Sequence, residues 1–127
     1  MIAGCGAREP FDYVKVSGTA TYEDGSLIPG ERVVVTFLPQ AGAIGPATDP
    51  RPGIAELDVK TGKFDCVTSH KYGDGIVPGR HKVLIQSIGG SMLPTAAVPD
   101  EYRSADKTPL LVDAQDAPFH IRIPKAR

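Results

Sequence analysis

Residues 14–22 read VKVSGTATY, and this stretch decides the fold class. Its apolar or small residues alternate with polar ones, a period typical of a β-strand that buries one face and solvates the other. An Asp24-Gly25 turn signal then ends the run. Similar alternation recurs along the chain and predicts seven strands in all, at 14–22, 32–37, 55–60, 64–68, 80–86, 110–113 and 119–123.

The composition indicates one small all-β domain. The 14 Gly and 12 Pro of the 127 residues are spread among Val-, Ile- and Thr-rich runs, where they indicate turns between short strands. No stretch has sustained helical periodicity, and none is long and apolar enough to span a bilayer. The 14 Lys and Arg are scattered and balanced by 15 Asp and Glu, so we expect no nucleic-acid partner.

The turn signals predict how the strands connect. One hairpin is expected over Thr61-Gly62, and a second over Gln115-Asp116 joins 110–113 to 119–123. Pro99 to Tyr102 is predicted to form a single helical turn. Two long loops, 39–53 and 86–98, connect strands and are candidate binding surfaces, because binding residues are often carried on loops held by a rigid scaffold.

The phase of each strand predicts the core. Cys66 shares the phase of Phe64 and Thr68, so we expect it to be a small core residue rather than a reactive thiol. The predicted core comprises Val16, Val35, Phe37, Leu57, Phe64, Val83, Ile85, Phe119 and Ile121.

The N-terminus has the form of a bacterial lipobox. Ile2-Ala3-Gly4-Cys5 places an apolar residue and two small residues before a cysteine, the pattern in which the cysteine is lipidated and a signal peptidase cleaves the bond before it. Only Met1 precedes it, so a lipobox here predicts either a start codon further upstream or a trimmed leader, and the alternative is a chance run of small residues. We therefore predict lipidation of Cys5, a tether over residues 1–12 and a β-sandwich domain over residues 13–127. This would place the protein outside the cytoplasm, anchored to a bacterial membrane.

Several motifs resemble one family of β-sandwiches. The Val14-to-Ala20 alternation, the Asp24-Gly25 and Pro29-Gly30 turns, Gly62-Lys63-Phe64 and Ile76-to-Val83 are similar to the carboxypeptidase regulatory-like domains. These have the transthyretin-like (prealbumin-like) fold, and small lipoproteins of planctomycete-type bacteria share the pattern. The resemblance implies a seven-stranded Greek-key β-sandwich. Hydroxyisourate hydrolases share that fold and carry a Tyr-Arg-Gly-Ser motif. Tyr102-Arg103-Ser104 partly resembles this motif but lacks its Gly.

The candidate chemistry is sparse. The three histidines have no mutual metal-ligand spacing, and no nucleophile motif or phosphate loop occurs, so we expect no metal, no cofactor and no catalytic residue. His81 lies on the inward phase and should be a core residue held by a hydrogen bond, whereas His120 should be solvated. The polar segment around His70, Tyr72 and Asp74, together with Tyr102, supplies the candidate binding residues.

The predicted function is that of a non-catalytic extracytoplasmic lipoprotein domain with a structural, adhesive or ligand-presenting role. Its partners would be the membrane, through the lipid anchor, and a protein or glycan. One alternative is a small-ligand or carbohydrate-binding module, although a chain without Trp supplies few flat aromatic platforms. Another alternative is a transthyretin-like hydrolase.

Overall fold

The computed structural model describes residues 13–40, 52–70, 72–89 and 97–125. Within these ranges the prediction of an all-β fold is confirmed: the regular elements are strands and two short 3-10 helices, Asp100–Arg103 and Ala114–Asp116. None of the helices in the described part is long and apolar enough to cross a bilayer. The strands are β1 (Gly18–Tyr22), β2 (Arg32–Pro39), β3 (Gly53–Leu57), β4 (Lys63–Phe64), β5 (Val67–Thr68), β6 (Arg80–Ile88), β7 (Leu111–Asp113) and β8 (Phe119–Ile123).

The strands form two sheets. A three-stranded sheet has the order β4-β1-β8, and a five-stranded sheet has the order β5-β3-β2-β6-β7. β1 and β8 are parallel, and the other strand pairs are antiparallel. The two chain-terminal strands of the described part are therefore neighbours in one sheet.

The core lies between the inner faces of the two sheets. Phe37 of β2 is fully buried, and its ring centroid lies 5.9 Å from that of Phe64 and 5.7 Å from that of Phe119. Phe64 and Phe119 belong to the smaller sheet, so this aromatic cluster joins the two sheets. Offset and tilted aromatic pairs add about 0.5–1.5 kcal/mol each beyond their buried area. All nine residues of the predicted core are buried.

The predicted hairpin between 110–113 and 119–123 is wrong. β7 pairs with β6 in the larger sheet, whereas β8 pairs with β1 in the smaller one. Asp113 accepts a hydrogen bond from the Gln115 amide at 3.1 Å and starts the second 3-10 helix, which leads the chain out of the larger sheet. Pro118 follows, and it has no N–H to donate to a hairpin ladder.

The core position predicted for Cys66 is also wrong. Phe64 and Val67 are both buried although they are three residues apart, so the alternation breaks between them. The break occurs because the chain leaves the smaller sheet after β4 and enters the larger one at β5. It divides one predicted strand into two, and it turns Cys66 to the outer face of the larger sheet, where it is half-buried.

Candidate functional site

The loop between β5 and β6 contains three of the four predicted binding residues. The Asp74 carboxylate accepts hydrogen bonds from the backbone amides of Ser69 at 2.9 Å and His70 at 3.1 Å. The Thr68 hydroxyl accepts another from the Gly73 amide at 2.9 Å. These bonds close the loop on itself, so Asp74 shapes the loop that carries Tyr72.

Tyr72 is the most exposed large apolar or aromatic side chain among the described residues. It is 89% exposed, although its hydroxyl lies at the Cys66 side chain. A hydrogen bond with the Cys66 side chain is the main cause that raises the pKa of the Tyr72 phenol, and the charge on Asp65 acts in the same direction. The phenol is therefore neutral at physiological pH and presents its ring to solvent.

The ring borders a groove of about 330 Å³ on the outer face of the larger sheet. The sheet register brings its walls together: Val34 of β2 lies opposite Glu56 of β3, and Ile54 of β3 lies opposite Thr68 of β5. We call this site the Tyr72 groove. Its lining comprises Arg32, Val34, Ile54, Ala55, Glu56, Cys66, Thr68 and Tyr72.

The Tyr72 groove combines apolar and charged contacts. Ile54 is 52% exposed and adds an aliphatic surface beside the ring. At the other end Arg32 and Glu56 form an ion pair of 3.1 Å, and both side chains are more than half exposed. Because exposed pairs of this kind contribute at most about 1 kcal/mol to folding, these groups can exchange their mutual contact for a ligand at little cost.

The fourth predicted binding residue lies elsewhere. Tyr102 belongs to the first 3-10 helix and is 9% exposed, packed into the core. Burial raises the pKa of its phenol, and Glu101 and Glu23 add to this effect. Its neighbour Arg103 donates to the Val98 carbonyl at 3.3 Å and pairs with Asp100. The Tyr102-Arg103-Ser104 segment therefore serves packing, and Tyr102 does not join the Tyr72 groove.

A second concave surface was not predicted from the sequence. A cleft of about 490 Å³ lies on the outer face of the smaller sheet, and we call it the small-sheet cleft. The alternation in β1 and β8 indicated that Thr19 and His120 face outward, but nothing in the sequence indicated that they are neighbours. Its lining combines apolar surface with polar side chains and comprises Ser17, Gly18, Thr19, Asp58, Thr61, Lys63, Phe64, Asp65, Pro118 and His120.

The two remaining histidine predictions agree with the structure. His81 is fully buried, and its Nε2 lies 2.8 Å from the Val77 carbonyl oxygen, while His120 is exposed. Burial lowers the pKa of His81, and the hydrogen bond with Val77 and the charge of Asp113 oppose this only in part. Among the described residues, no three His, Cys, Asp or Glu side chains are grouped so as to hold a metal ion.

Several predicted features lie outside the described residues. These are Cys5 with the whole 1–12 tether, and the central parts of the loops 39–53 and 86–98. No protein-family model, curated protein or solved structure matches this chain.

Proposed function

We propose that the chain is a non-catalytic, extracytoplasmic binding domain that adheres to a saccharide through the Tyr72 groove. The observation that carries this proposal is the 89% exposure of the Tyr72 ring at the edge of a concave, partly apolar surface. An aromatic ring that is exposed to solvent and not packed against the protein has a large apolar area that a ligand can bury.

The composition of the Tyr72 groove favours a saccharide over a purely apolar ligand. A sugar ring has one face of C–H groups, which can stack on Tyr72 and contact Ile54. Its hydroxyl groups need both donors and acceptors, and the groove supplies these in Arg32 and Glu56. The Thr68 hydroxyl accepts the Gly73 N–H, so its own proton is available for donation to the ligand.

The position of the Tyr72 groove supports an adhesive role. It lies on the sheet surface across β2, β3 and β5, so its walls are fixed by strand pairing. A shallow, preformed surface of this kind suits a segment of a polymer, because little ordering of the protein is needed when the ligand binds.

We further propose the transthyretin-like Greek-key topology for this domain. The Val33-Val35-Phe37 motif supplies the inward face of the central strand β2, and Gly62-Lys63-Phe64 supplies a turn followed by β4. Pro78-Gly79 leads directly into β6. If β4 and β5 are counted as one interrupted strand, the strand number is that of the family which the motifs resemble.

We also propose that lipidated Cys5 anchors the domain to a bacterial membrane. Fractionation of the source bacterium, followed by mass spectrometry of the native N-terminus, tests this part. We expect an acylated cysteine at position 5 in the membrane fraction. An unmodified protein in the cytoplasm would contradict it, while leaving the saccharide proposal to its own test.

A glycan array probed with the purified full chain tests the binding proposal. The Tyr72→Ala variant should lose most of the signal that the wild-type chain gives, and Tyr72→Phe should keep most of it because the ring remains. Leu27→Ala is the matched control, since Leu27 is a 40% exposed apolar residue outside the Tyr72 groove. If no saccharide binds, or if Tyr72→Ala binds as well as the control, the proposal fails.

A further inference from the structure

The outer face of the smaller sheet carries an arrangement of basic side chains that the Tyr72 groove does not explain. β1 is the central strand, and its register places Lys63 of β4 and His120 of β8 on either side of Thr19. One step along the strands, Arg122 of β8 lies beside Thr21. Neighbouring strands are about 4.8 Å apart, so side chains in adjacent rows and columns of this face can contact one small ligand group.

These basic side chains make no polar contact within the described part of the fold. Lys63, His120 and Arg122 are exposed, and their side chains make no hydrogen bond or ion pair with other described residues. Three other cations, Arg32, Arg103 and Lys125, are each paired with a carboxylate.

The hydroxyl groups on this face complement the cations. Thr21 donates its proton to the Tyr22 carbonyl at 3.0 Å, whereas the Thr19 hydroxyl makes no such bond with the described residues. The Thr19 hydroxyl can donate its proton, and it lies between the His120 imidazole and the Lys63 ammonium group. The Arg122 guanidinium group is one row away. Together these donors match the acceptor oxygens of an oxyanion. Guanidinium and ammonium groups bind carboxylate, sulfate and phosphate through charge-assisted hydrogen bonds.

The acidic residues of the small-sheet cleft lie on its other side. Asp58 and Asp65 line the cleft near β4, and Asp58 already accepts the Lys60 amide at 2.9 Å. Carboxylates at this side can accept hydrogen bonds from sugar hydroxyls, but they repel an anion. An oxyanion is therefore favoured near β8, between His120 and Arg122.

We propose that the outer face of the smaller sheet binds a saccharide that bears an oxyanion, with the anionic group at His120 and Arg122 and its hydroxyls toward Asp58 and Asp65. This site lies on a different sheet from the Tyr72 groove and shares no residue with it. Failure of one binding site would therefore not contradict the other.

Four sugars that differ only at carbon 6 test the proposal: glucose, glucuronate, glucose 6-sulfate and glucose 6-phosphate. Each is titrated into the ¹⁵N-labelled full chain while amide chemical shifts are followed. We expect at least one anionic sugar to bind roughly tenfold more tightly than glucose, with shifts at Thr19, Lys63, His120 and Arg122. The sugar that binds best identifies the oxyanion. Equal binding of all four, or shifts confined to other residues, would overturn the proposal.

Variants then separate this site from general attraction to a positive charge. Arg122→Gln and Lys63→Gln should each weaken the preferred anionic sugar several-fold, and the amide spectra show whether each variant is folded. Arg80→Gln is the matched control, because it removes one exposed cation from the larger sheet. If Arg80→Gln weakens binding as much as Arg122→Gln does, the site proposed here is wrong. Tyr72→Ala should leave this binding unchanged.

Discussion

The Tyr22 hydroxyl donates a 2.6 Å hydrogen bond to the carbonyl oxygen of Ala97, which lies 75 residues further along the chain. Tyr22 is the last residue of β1 and is buried, and burial is the main cause that raises the pKa of its phenol. The bond links the end of the smaller sheet to the segment that begins the first 3-10 helix. It is therefore a buried polar link between two segments that are far apart in the sequence.

Removing this link should measurably destabilise the fold. Tyr22→Phe keeps the ring but leaves the buried Ala97 carbonyl without this donor, which we expect to cost about 1–2 kcal/mol in the free energy of unfolding. Urea denaturation followed by circular dichroism measures it. Tyr72→Phe serves as the control and should change stability by less than about 0.5 kcal/mol, because Tyr72 is exposed. Equal stabilities of the two variants would contradict the expectation.

Gly18 should not tolerate even a methyl group. A Cβ at this position would lie 2.5 Å from the Phe119 carbonyl oxygen and 2.9 Å from its amide nitrogen, and these backbone atoms are fixed by pairing of β1 with β8. We expect Gly18→Ala to cost at least about 2 kcal/mol, as overpacked sites do. Thermal unfolding monitored by calorimetry checks this.

Gly25→Ala provides the comparison for Gly18. A Cβ on Gly25 meets nothing within 4 Å, but the residue has a φ of +89°. The substitution should therefore cost only the backbone strain, about 1 kcal/mol. If Gly25→Ala is the more damaging of the two, the close approach of β1 and β8 is not the determining factor.

His81 should make the fold sensitive to mild acid. Its Nε2 donates to the Val77 carbonyl, and its buried Nδ1 has no hydrogen-bond partner among the described residues. The pKa of His81 is lowered in the folded protein, so between this pKa and about 6.5 the unfolded chain binds more protons. Stability is therefore full above about pH 6.5 and falls as the pH drops below it, by about 1.4 kcal/mol per unit of pKa difference. Urea unfolding at pH 7.5 and pH 5.5 measures the loss.

The His81→Phe variant isolates this contribution. Phe keeps an aromatic ring against Phe37, which now contacts His81 edge-on at a centroid distance of 6.4 Å. Every other ionisable group is the same in both proteins, so the effects of those groups cancel in the comparison. We expect the variant to lose less stability between pH 7.5 and pH 5.5. An identical loss in both proteins would show that His81 is not the sensitive group.

Cys66 should react with alkylating reagents in the folded protein. It is half-buried on the outer face of the larger sheet and lines the Tyr72 groove. Iodoacetamide labelling of a Cys5→Ser background, followed by mass spectrometry, should modify Cys66 without denaturant. A thiol that reacts only in urea would restore the core position that strand alternation predicts.

Alternation within each strand predicts which residues are buried, but it does not predict which strands pair with each other. Phe119 and Ile121 face inward as their alternation predicts, because side-chain direction within a strand is a local property. The sequence predicts that their strand pairs with the preceding one, which is the usual arrangement of sequential strands. The Asp113-capped helix and Pro118 override that tendency, and the partner β1 lies about a hundred residues earlier.

The same limit applies to the candidate sites. The sequence pointed to Tyr72, which sits in a polar loop, but not to Arg32 and Ile54, which reach it only through the pairing of β2, β3 and β5. It placed Cys66 on the wrong face because alternation cannot show where a chain changes sheet. The small-sheet cleft was missed because Lys63, Thr19 and His120 come from three distant segments.

The parallel pairing of β1 with β8 also determines how the domain would bear tension. Five residue pairs, from Gly18–Phe119 to Tyr22–Ile123, hold the two strands side by side. A force that holds the chain before β1 and pulls it beyond β8 acts along both strands in opposite directions. It loads their hydrogen bonds in shear, so they must break together rather than one after another. Resistance to forced unfolding depends on the unfolding rate, and this geometry would slow unfolding when the domain is pulled from the two ends of this strand pair.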